Sequence, residues 1–501
     1  MLLDSPSLIY RRCVLHAALG VSFALPVAAQ SAATPPAAAP PAAAPPAASA
    51  AVQVLNDKVD AYMQAAVRNA HFSGTILIAR DGVPLVSRAY GMANYELRAA
   101  NSTATVYELA SVAKQFTAML IMQLKEQGKL DVSDSICKFI NDCPAAWRPV
   151  TLRHLLSHTS GVPNYTSLPD WDEQLVHRTY SRTSLLALFR DLPLEFTPGA
   201  KYRYSNSGYF LLGIVIERIT KRPYGDVLRT NITEPLGMTH TRFNEGRLLV
   251  DQRATGYYSL GTSFISATHE SPSASLGSAG IQSTTTDLLR WDQALYANQL
   301  LTSASLDEMF TPVLDGYGYG WQSGESLGRT RVDHSGSHAG FSTYIVRFLR
   351  ERLTVIVLSN SDRASGSGTG LNLARIAFGE TYIMPTLPLR DRLFDAVIGF
   401  GVDATVEQIR EIRRDTPTLP LDETLLDVGY DLLEAARLTD AIAILEYNIS
   451  LHPKSAYSYD GLGDAALAIG DITLARRHFE SSLKIDPTNR YAIDALKRLS
   501  R

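Results

Sequence analysis

Residues 105–124, TVYELASVAKQFTAMLIMQL, join a short extended run to the start of an apolar helix. Ser111 and Lys114 stand at the junction, three residues apart, so that on a helix both side chains lie on one face. A hydroxyl beside an amine that can lose its proton is a nucleophile next to its base. The stretch therefore predicts a core helix that begins with a candidate catalytic pair.

The spacing alone is weak evidence, because two other serine–lysine pairs share it, Ser135/Lys138 and Ser481/Lys484. Only Ser111 precedes a helical stripe of apolar residues, which consists of Val112, Phe116, Met119, Leu120 and Leu124. Serine is also a common first residue of a helix. A purely structural role of the Ser111 pair therefore stays open at this point.

Bulk composition excludes several classes of function. The hydrophobic content of 46% and the formal net charge of −3 are typical of a soluble globular protein and do not favour nucleic acid as a partner. The eleven histidines and three cysteines form no group with the spacing of metal ligands. We therefore expect no metal and no cofactor.

The first thirty residues have the pattern of an export signal. Two arginines precede a short apolar core, Val14–Leu25, and Val27–Ala29 offers the small residues of a cleavage site. We expect a signal peptide over residues 1–29 and a periplasmic or secreted protein without a stable membrane span. A retained N-terminal anchor is the alternative.

The mature chain is expected to begin with a linker over residues 30–51, which is rich in alanine and proline and cannot build a core. Export would leave Cys137 and Cys143 in an oxidising compartment, where a disulfide between them is expected. Two free buried thiols are the alternative.

The main domain is expected over residues 52–385. Its first elements are a helix at 52–70 and two strands, at 72–79 and 83–90, which the hairpin signal Asp81-Gly82 joins. Four late strands are predicted near Gly318–Trp321, Arg331–His334, Thr343–Phe348 and Leu353–Ser359. Strands at both ends with helices between them predict an α+β fold, in which an antiparallel sheet is flanked by helices and carries an inserted helical lobe.

The tail repeats with the period of about 34 residues that is typical of tetratricopeptide repeats. Gly429, Ala441, Leu445 and Pro453 recur as Gly463, Ala475, Phe479 and Pro487. We expect a small all-α repeat domain with a capping helix over residues 421–501, joined by a helical connector over 386–420. Its surface is a candidate docking site for a protein partner.

Two short motifs follow Ser111 in order. Tyr204-Ser205-Asn206 precedes a predicted helix at 209–220, and His334-Ser335-Gly336 lies on a late strand and is followed by Ser337. Each is weak alone, because Tyr296-Ala297-Asn298 also matches the first. Their order and their flanking residues give the motifs weight.

With Ser111 and Lys114, these motifs resemble those of the serine β-lactamase and penicillin-binding protein superfamily. The branch that fits best is that of class C β-lactamases, D-alanyl-D-alanine carboxypeptidases and related esterases. The resemblance covers roughly residues 55–380 and includes Leu155–Gly161, Pro235–Met238 and Gly280–Leu288.

The resemblance implies catalysis through an acyl-enzyme. Ser111 would attack a carbonyl, Lys114 would accept the serine proton, and Tyr204 would relay protons. Asn206 would hold the substrate amide or the lysine. The motif His334, Ser335 and Gly336 would bind substrate, and the backbone N–H groups of Ser111 and Ser337 would form the oxyanion hole.

His334 takes a place at which this superfamily often has lysine. It would donate to Tyr204 or to a substrate carboxylate, but histidine is mostly neutral at pH 7, so carboxylate anchoring should be weaker. Esters, D-amino-acid peptides and β-lactams stay open as substrates. We expect a serine hydrolase of small-molecule or peptidoglycan-like substrates. The alternative is a non-catalytic sensor that binds cell-wall fragments and docks a partner through its repeats.

Overall fold

The computed structural model describes residues 50–168 and 171–500. The expected signal peptide and nearly all of the expected linker lie outside the described residues. Within the described part of the chain, we find no helix with the length and apolar character needed to cross a membrane.

Strands from both ends of the main domain build its central sheet. The strands are β1 (Gly74–Arg80), β2 (Val83–Tyr90), β3 (Met92–Asn94), β4 (Ala99–Ala100), β5 (Tyr107–Glu108), β6 (Arg242–Phe243), β7 (Tyr257–Leu260), β8 (Ser263–Ser266), β9 (Ile281–Ser283), β10 (Gln322–Ser326), β11 (Arg329–His338), β12 (Phe341–Phe348) and β13 (Leu353–Ser359). Six of them form one antiparallel sheet in the order β10-β11-β12-β13-β1-β2.

Helices cover this sheet and form the tail. They are α1 (Ala50–Asn69), α2 (Lys114–Glu126), α3 (Leu152–Leu156), α4 (Arg182–Ala187), α5 (Asn206–Thr220), α6 (Tyr224–Leu228), α7 (Thr285–Tyr296), α8 (Ser303–Phe310), α9 (Gly366–Phe378), α10 (Leu389–Phe400), α11 (Val402–Asp415), α12 (Leu421–Glu434), α13 (Leu438–Leu451), α14 (Ala456–Ala468), α15 (Ile472–Ile485) and α16 (Arg490–Arg498). The predicted α+β architecture, with an inserted helical lobe and an all-α tail, is confirmed.

Strand β1 separates two hydrophobic cores. Ile76 and Ile78 pack on one face with α1 and α9, whereas Leu77 and Ala79 belong to the core on the other face, which contains α2. Both faces of β1 are therefore covered, which explains why this strand is apolar almost throughout instead of alternating with polar residues.

The prediction of a strand near Gly318–Trp321 is wrong, because the strand at this edge of the sheet begins only at Gln322. Gly320 has a φ of +74°, and a Cβ at this position would lie 2.8 Å from the carbonyl oxygen of Lys114. This close approach needs glycine in a left-handed conformation. The segment is therefore an irregular loop that packs against the start of α2.

The tail contains two helical hairpins, α12–α13 and α14–α15, with the same internal contact. A Cβ on Gly429 would lie 2.5 Å from the Leu445 side chain, and a Cβ on Gly463 would lie 2.6 Å from Phe479. A small residue thus lets the paired helices approach in both hairpins, as the repeat predicts. The assignment to tetratricopeptide repeats and the docking of a partner stay predictions.

Charged side chains connect the tail to the main domain. Arg363, which follows β13, donates to Asp391 of α10 and to Asp431 of α12, each at 2.6 Å. His71, which precedes β1, lies 2.9 Å from the other carboxylate oxygen of Asp391. The C-terminal helices are therefore anchored on the sheet domain through largely buried polar contacts.

Cys137 and Cys143 form a disulfide across a sequence separation of 6 residues. The variant Cys137→Ser/Cys143→Ser is expected to lower the free energy of unfolding by about 2 kcal/mol, because the bridge removes conformational freedom from only a short loop of the unfolded chain. Urea denaturation followed by circular dichroism measures this change. Wild type in reductant should match the variant, and an unchanged midpoint would contradict the expectation.

Candidate active site

Ser111 lies in a 3-10 turn, Ala110–Ala113, directly before α2. Ala110 is fully buried and has a φ of +50°, a conformation that residues with a Cβ rarely adopt. Strand β12 is hydrogen-bonded to the residue that precedes the turn, because the Thr343 hydroxyl donates to the carbonyl oxygen of Leu109 at 2.7 Å. The local backbone at the candidate nucleophile is therefore unusual and is fixed by the sheet.

Lys114 is fully buried and has three polar neighbours. Its amine lies 3.1 Å from Ser111 Oγ, 2.8 Å from Asn206 Oδ1 and 2.8 Å from the carbonyl oxygen of Ser278. The last two atoms can only accept hydrogen bonds. A neutral amine has two N–H groups for these two acceptors and one lone pair, which is left to receive the Ser111 proton.

The electrostatic surroundings favour this neutral amine. Burial holds the pKa of Lys114 well below its usual value of 10.5. Desolvation acts in this direction because it disfavours the charged form of a lysine. Geometry and burial together therefore suit Lys114 to act as a base toward Ser111.

Tyr204 lies beside the same pair. The Lys114 amine is 4.7 Å from the centre of the Tyr204 ring. The phenol oxygen is buried and has no hydrogen-bond partner among the described residues. Burial raises the pKa of Tyr204, and the nearby Ser111 hydroxyl opposes this shift in part, although the two groups do not meet the geometry of a hydrogen bond. The Tyr204 phenol is therefore protonated near neutral pH.

His158 is the centre of an aromatic cluster behind Tyr204. Its ring centre lies within about 5 Å of three tyrosine rings, those of Tyr204, Tyr209 and Tyr317. Its Nδ1 accepts a hydrogen bond from the backbone N–H of Ser205 at 3.1 Å. Burial holds the pKa of His158 well below its usual value, so the ring is neutral. His158 thus positions the segment that carries Tyr204.

His334 does not form the expected hydrogen bond to Tyr204. Its Nδ1–H donates to the backbone carbonyl of Ser335 at 2.6 Å, and its Nε2 accepts from the Tyr317 hydroxyl at 2.8 Å. Burial lowers the pKa of His334 to about 3, so the ring carries no charge near neutral pH. His334 therefore orients Tyr317 and supplies no positive charge for a substrate carboxylate.

Asn206 begins α5 and is held on both sides of its amide. Its Oδ1 accepts from Lys114, its Nδ2 donates to Thr166 Oγ1 at 3.0 Å, and its backbone N–H donates to Asn164 Oδ1 at 2.9 Å. Of the two roles expected for Asn206, the structure shows the contact with Lys114. Sequence reasoning missed Asn164, Thr166 and the carbonyl of Ser278, because these groups lie on loops and belong to no motif.

Ser111 and Asn206 line one pocket together with Ser337 of β11. Ser111 and Ser337 are the two residues whose N–H groups the family resemblance assigns to the oxyanion hole. Ser335 is exposed on β11 but does not line this pocket. Of the four residues His334 to Ser337, Ser337 is therefore the one that lines the pocket of the nucleophile.

Gly336 lets β11 contact the turn that carries Ser111. A Cβ on Gly336 would lie 2.4 Å from both the Leu109 carbonyl oxygen and Thr343 Oγ1, and 3.0 Å from the Ala110 Cβ. Real Cβ atoms do not approach this closely, so strand and turn must separate when any side chain is added. Glycine is therefore required here by steric contact.

Gly336→Ala is expected to lower the kcat/KM of any hydrolysis at Ser111 by on the order of 100-fold, because a displacement near 1 Å misaligns Ser111 with the expected N–H donor of Ser337. Thermal unfolding should also shift to lower temperature. Gly324→Ala on β10 is the matched control, since a Cβ there meets nothing within 4 Å. Equal activity of Gly336→Ala and Gly324→Ala would show that the contact does not matter.

Comparison with known proteins identifies the relatives of this chain. Residues 55–378 match the family model described as Beta-lactamase. Penicillin-binding protein 4* of Bacillus subtilis is 33% identical over 342 residues, which cover 63% of this chain and 75% of that protein.

Solved structures show the same likeness. The octameric penicillin-binding protein homologue from Pyrococcus abyssi aligns with a TM-score of 0.59 and 27% identity, over 68% of this chain and 81% of that one. A D-stereospecific amidohydrolase from a Streptomyces species aligns with a TM-score of 0.55 and 25% identity, over 66% of this chain and 99% of that one. The matched family region contains all three motifs and ends before α10. The chain belongs to the β-lactamase family, whose members share this fold and are in general serine hydrolases.

Proposed function

We propose that the protein is a serine hydrolase that cleaves peptides, esters or β-lactams through an acyl-enzyme on Ser111. One observation carries the proposal: the buried Lys114 amine lies 3.1 Å from Ser111 Oγ while its other two neighbours are obligate acceptors. A serine is activated by an adjacent group that can take its proton. The likeness to a D-stereospecific amidohydrolase and to penicillin-binding proteins supports amide substrates in particular.

In the proposed reaction, Ser111 Oγ bonds to the carbonyl carbon as its proton passes to the Lys114 lone pair. The N–H groups of Ser111 and Ser337 donate to the oxyanion and so stabilise the negative charge that develops in the transition state. The leaving group departs with a proton that Tyr204 relays from Lys114. Water then hydrolyses the acyl ester by the reverse proton transfers, which releases the acid and restores Ser111.

The proposal is tested by covalent labelling and turnover. The full chain is treated with a fluorescent penicillin and a fluorophosphonate, and the labelled peptide is located by mass spectrometry. Turnover is measured on an ester, a D-alanyl-D-alanine peptide and a cephalosporin. A label on Ser111 with turnover of one class supports the proposal. Labelling without turnover would favour the sensor function, and the absence of both would refute the enzyme.

We also propose that the protein is exported. The disulfide between Cys137 and Cys143 supports this, because such bonds persist mainly in oxidising compartments. N-terminal sequencing of the protein recovered from the periplasm or the medium tests it. A chain that begins after residue 29 is the expected result, and a full-length cytosolic chain would contradict the proposal.

A further inference from the structure

The pocket of Ser111 continues into two further cavities. Glu270, Ser275 and His338 line both this pocket and a second cavity. The second cavity in turn shares Asn244 and His269 with a third. The three cavities therefore adjoin one another through shared wall residues, and together they are called the cleft below.

Two pairs of charged groups lie within the wall of this cleft. Glu270 Oε2 lies 2.9 Å from His338 Nδ1, and Arg182 donates two hydrogen bonds of 3.1 Å each to the carboxylate of Glu217. The other acidic and basic residues of the lining are two acids and two arginines, so the cleft surface is polar and carries little net charge: Glu108, Glu245, Arg247 and Arg253. Such a surface suits the amide groups of a peptide, which need hydrogen-bond partners when they are taken out of water.

The hairpin β7–β8 leads into the outer wall of the second cavity. Gly256 precedes the hairpin, Ala267 and Thr268 follow it, and all three line the cavity. The Ala267 N–H donates to the Gly256 carbonyl at 3.0 Å, which closes the base of the hairpin. The base of this hairpin therefore forms part of the cleft wall.

The tip of the same hairpin lies against the C-terminal helices. The Thr262 N–H donates to Asp395 Oδ1 of α10 at 3.2 Å. A Cβ on Gly261 would lie 2.3 Å from that carboxylate oxygen and 2.4 Å from the Phe394 ring. Leu260 packs against the hydrophobic core of the tail. One hairpin thus contacts the tail at its tip and forms the cleft wall at its base.

We propose that this cleft binds the part of an extended peptide substrate that lies beyond the scissile bond, and that the C-terminal helices hold its hairpin wall in place. The inference rests on the proposed function and names its substrate class. The tail then contributes to specificity through the hairpin without touching the substrate.

Two variants of the full chain test the two halves of this inference. Thr268→Trp fills the second cavity directly, whereas Gly261→Ala pushes the hairpin tip away from α10. Gly328→Ala is the matched control for the second variant, because Gly328 also has a positive φ in a hairpin turn, +64° against +55°, but a Cβ there meets nothing within 4 Å. The control separates loss of the contact from backbone strain.

The substrates are 4-nitrophenyl acetate, acetyl-D-alanyl-D-alanine and the same dipeptide extended by three residues at either end. Wild type should prefer one extended peptide to the dipeptide by at least about 10-fold in kcat/KM. Thr268→Trp and Gly261→Ala should each lower kcat/KM for the preferred extended peptide about 10-fold more than they lower kcat/KM for 4-nitrophenyl acetate. The loss on the peptide should come mainly from a higher KM. Gly328→Ala should leave the ratio of kcat/KM for the extended peptide to kcat/KM for the acetate unchanged.

Equal kcat/KM for short and extended peptides, or an equal loss on both probes, would overturn the inference while the proposed function stands. If no substrate reacted and Ser111 took no label, the proposed function would fail. Binding of the extended peptides to the cleft would then be measured by calorimetry. For the inference to hold, they must bind wild type more tightly than they bind Thr268→Trp.

Discussion

Ser111→Ala is expected to abolish covalent labelling and to lower kcat by on the order of 1,000-fold or more on every substrate that the wild type cleaves. Alanine lacks the oxygen that forms the acyl bond, so the two-step route is closed. The remaining rate would come from the oxyanion hole and from substrate binding. Steady-state kinetics and in-gel fluorescence of labelled protein measure the two effects.

A variant with the same sequence spacing provides the control. Ser481 also precedes a lysine by three residues, but it is half-buried on α15, where its hydroxyl donates to the Arg477 carbonyl at 2.8 Å. Ser481→Ala should keep full activity and labelling. Labelled or active Ser111→Ala protein would show that another nucleophile does the chemistry, and the proposed mechanism would be abandoned.

The position of Ser111 shows what the sequence predicts well. Periodicity placed Ser111 before a core helix, and the structure agrees. The hairpin at Asp81-Gly82 joins β1 and β2 as predicted. These features depend on local pattern, namely apolar spacing and turn residues, which act within one element or between two neighbours.

Features that depend on distant contacts were not predictable in this way. The partner of His334 is Tyr317, a residue without a motif that lies on an irregular loop. One acceptor for Lys114 is a backbone carbonyl, that of Ser278, which any residue type could supply. The expected strand at Gly318–Trp321 is a loop because Gly320 must pass close to α2. In each case the tertiary fold decides a choice that local sequence leaves open.

Tertiary contacts change the expected role of His334 more than that of any other site residue discussed above. Lysine at this place would carry a charge, and sequence reasoning alone left histidine free to donate toward the substrate. The structure instead uses both ring nitrogens within the wall and holds the pKa at about 3. The proton transfers of the proposed reaction therefore fall to Lys114 and Tyr204, which makes the titration of the lysine the most informative property of this site.

The rate of acylation is expected to rise with pH through the folded-state pKa of Lys114. Only the neutral amine can accept the serine proton, so activity is lost as pH falls below that pKa. Because burial holds the pKa well below 10.5, the plateau should be reached below that pH. A profile that rises only near pH 10.5 would show that Lys114 behaves as an ordinary surface lysine.

Lys114→Met is expected to lower the acylation rate by on the order of 1,000-fold and to remove this limb of the pH profile. Methionine fills a similar volume without a base, so what is lost is proton acceptance and the hydrogen bonds to Asn206 and Ser278. Stopped-flow labelling across pH measures the rate, and circular dichroism checks the fold. Lys484→Met changes the exposed lysine of the pair on α15. It is the control and should leave the profile intact. Persistence of the same limb in folded Lys114→Met protein would assign the base to another group, and Tyr204→Phe would then be the next variant to test.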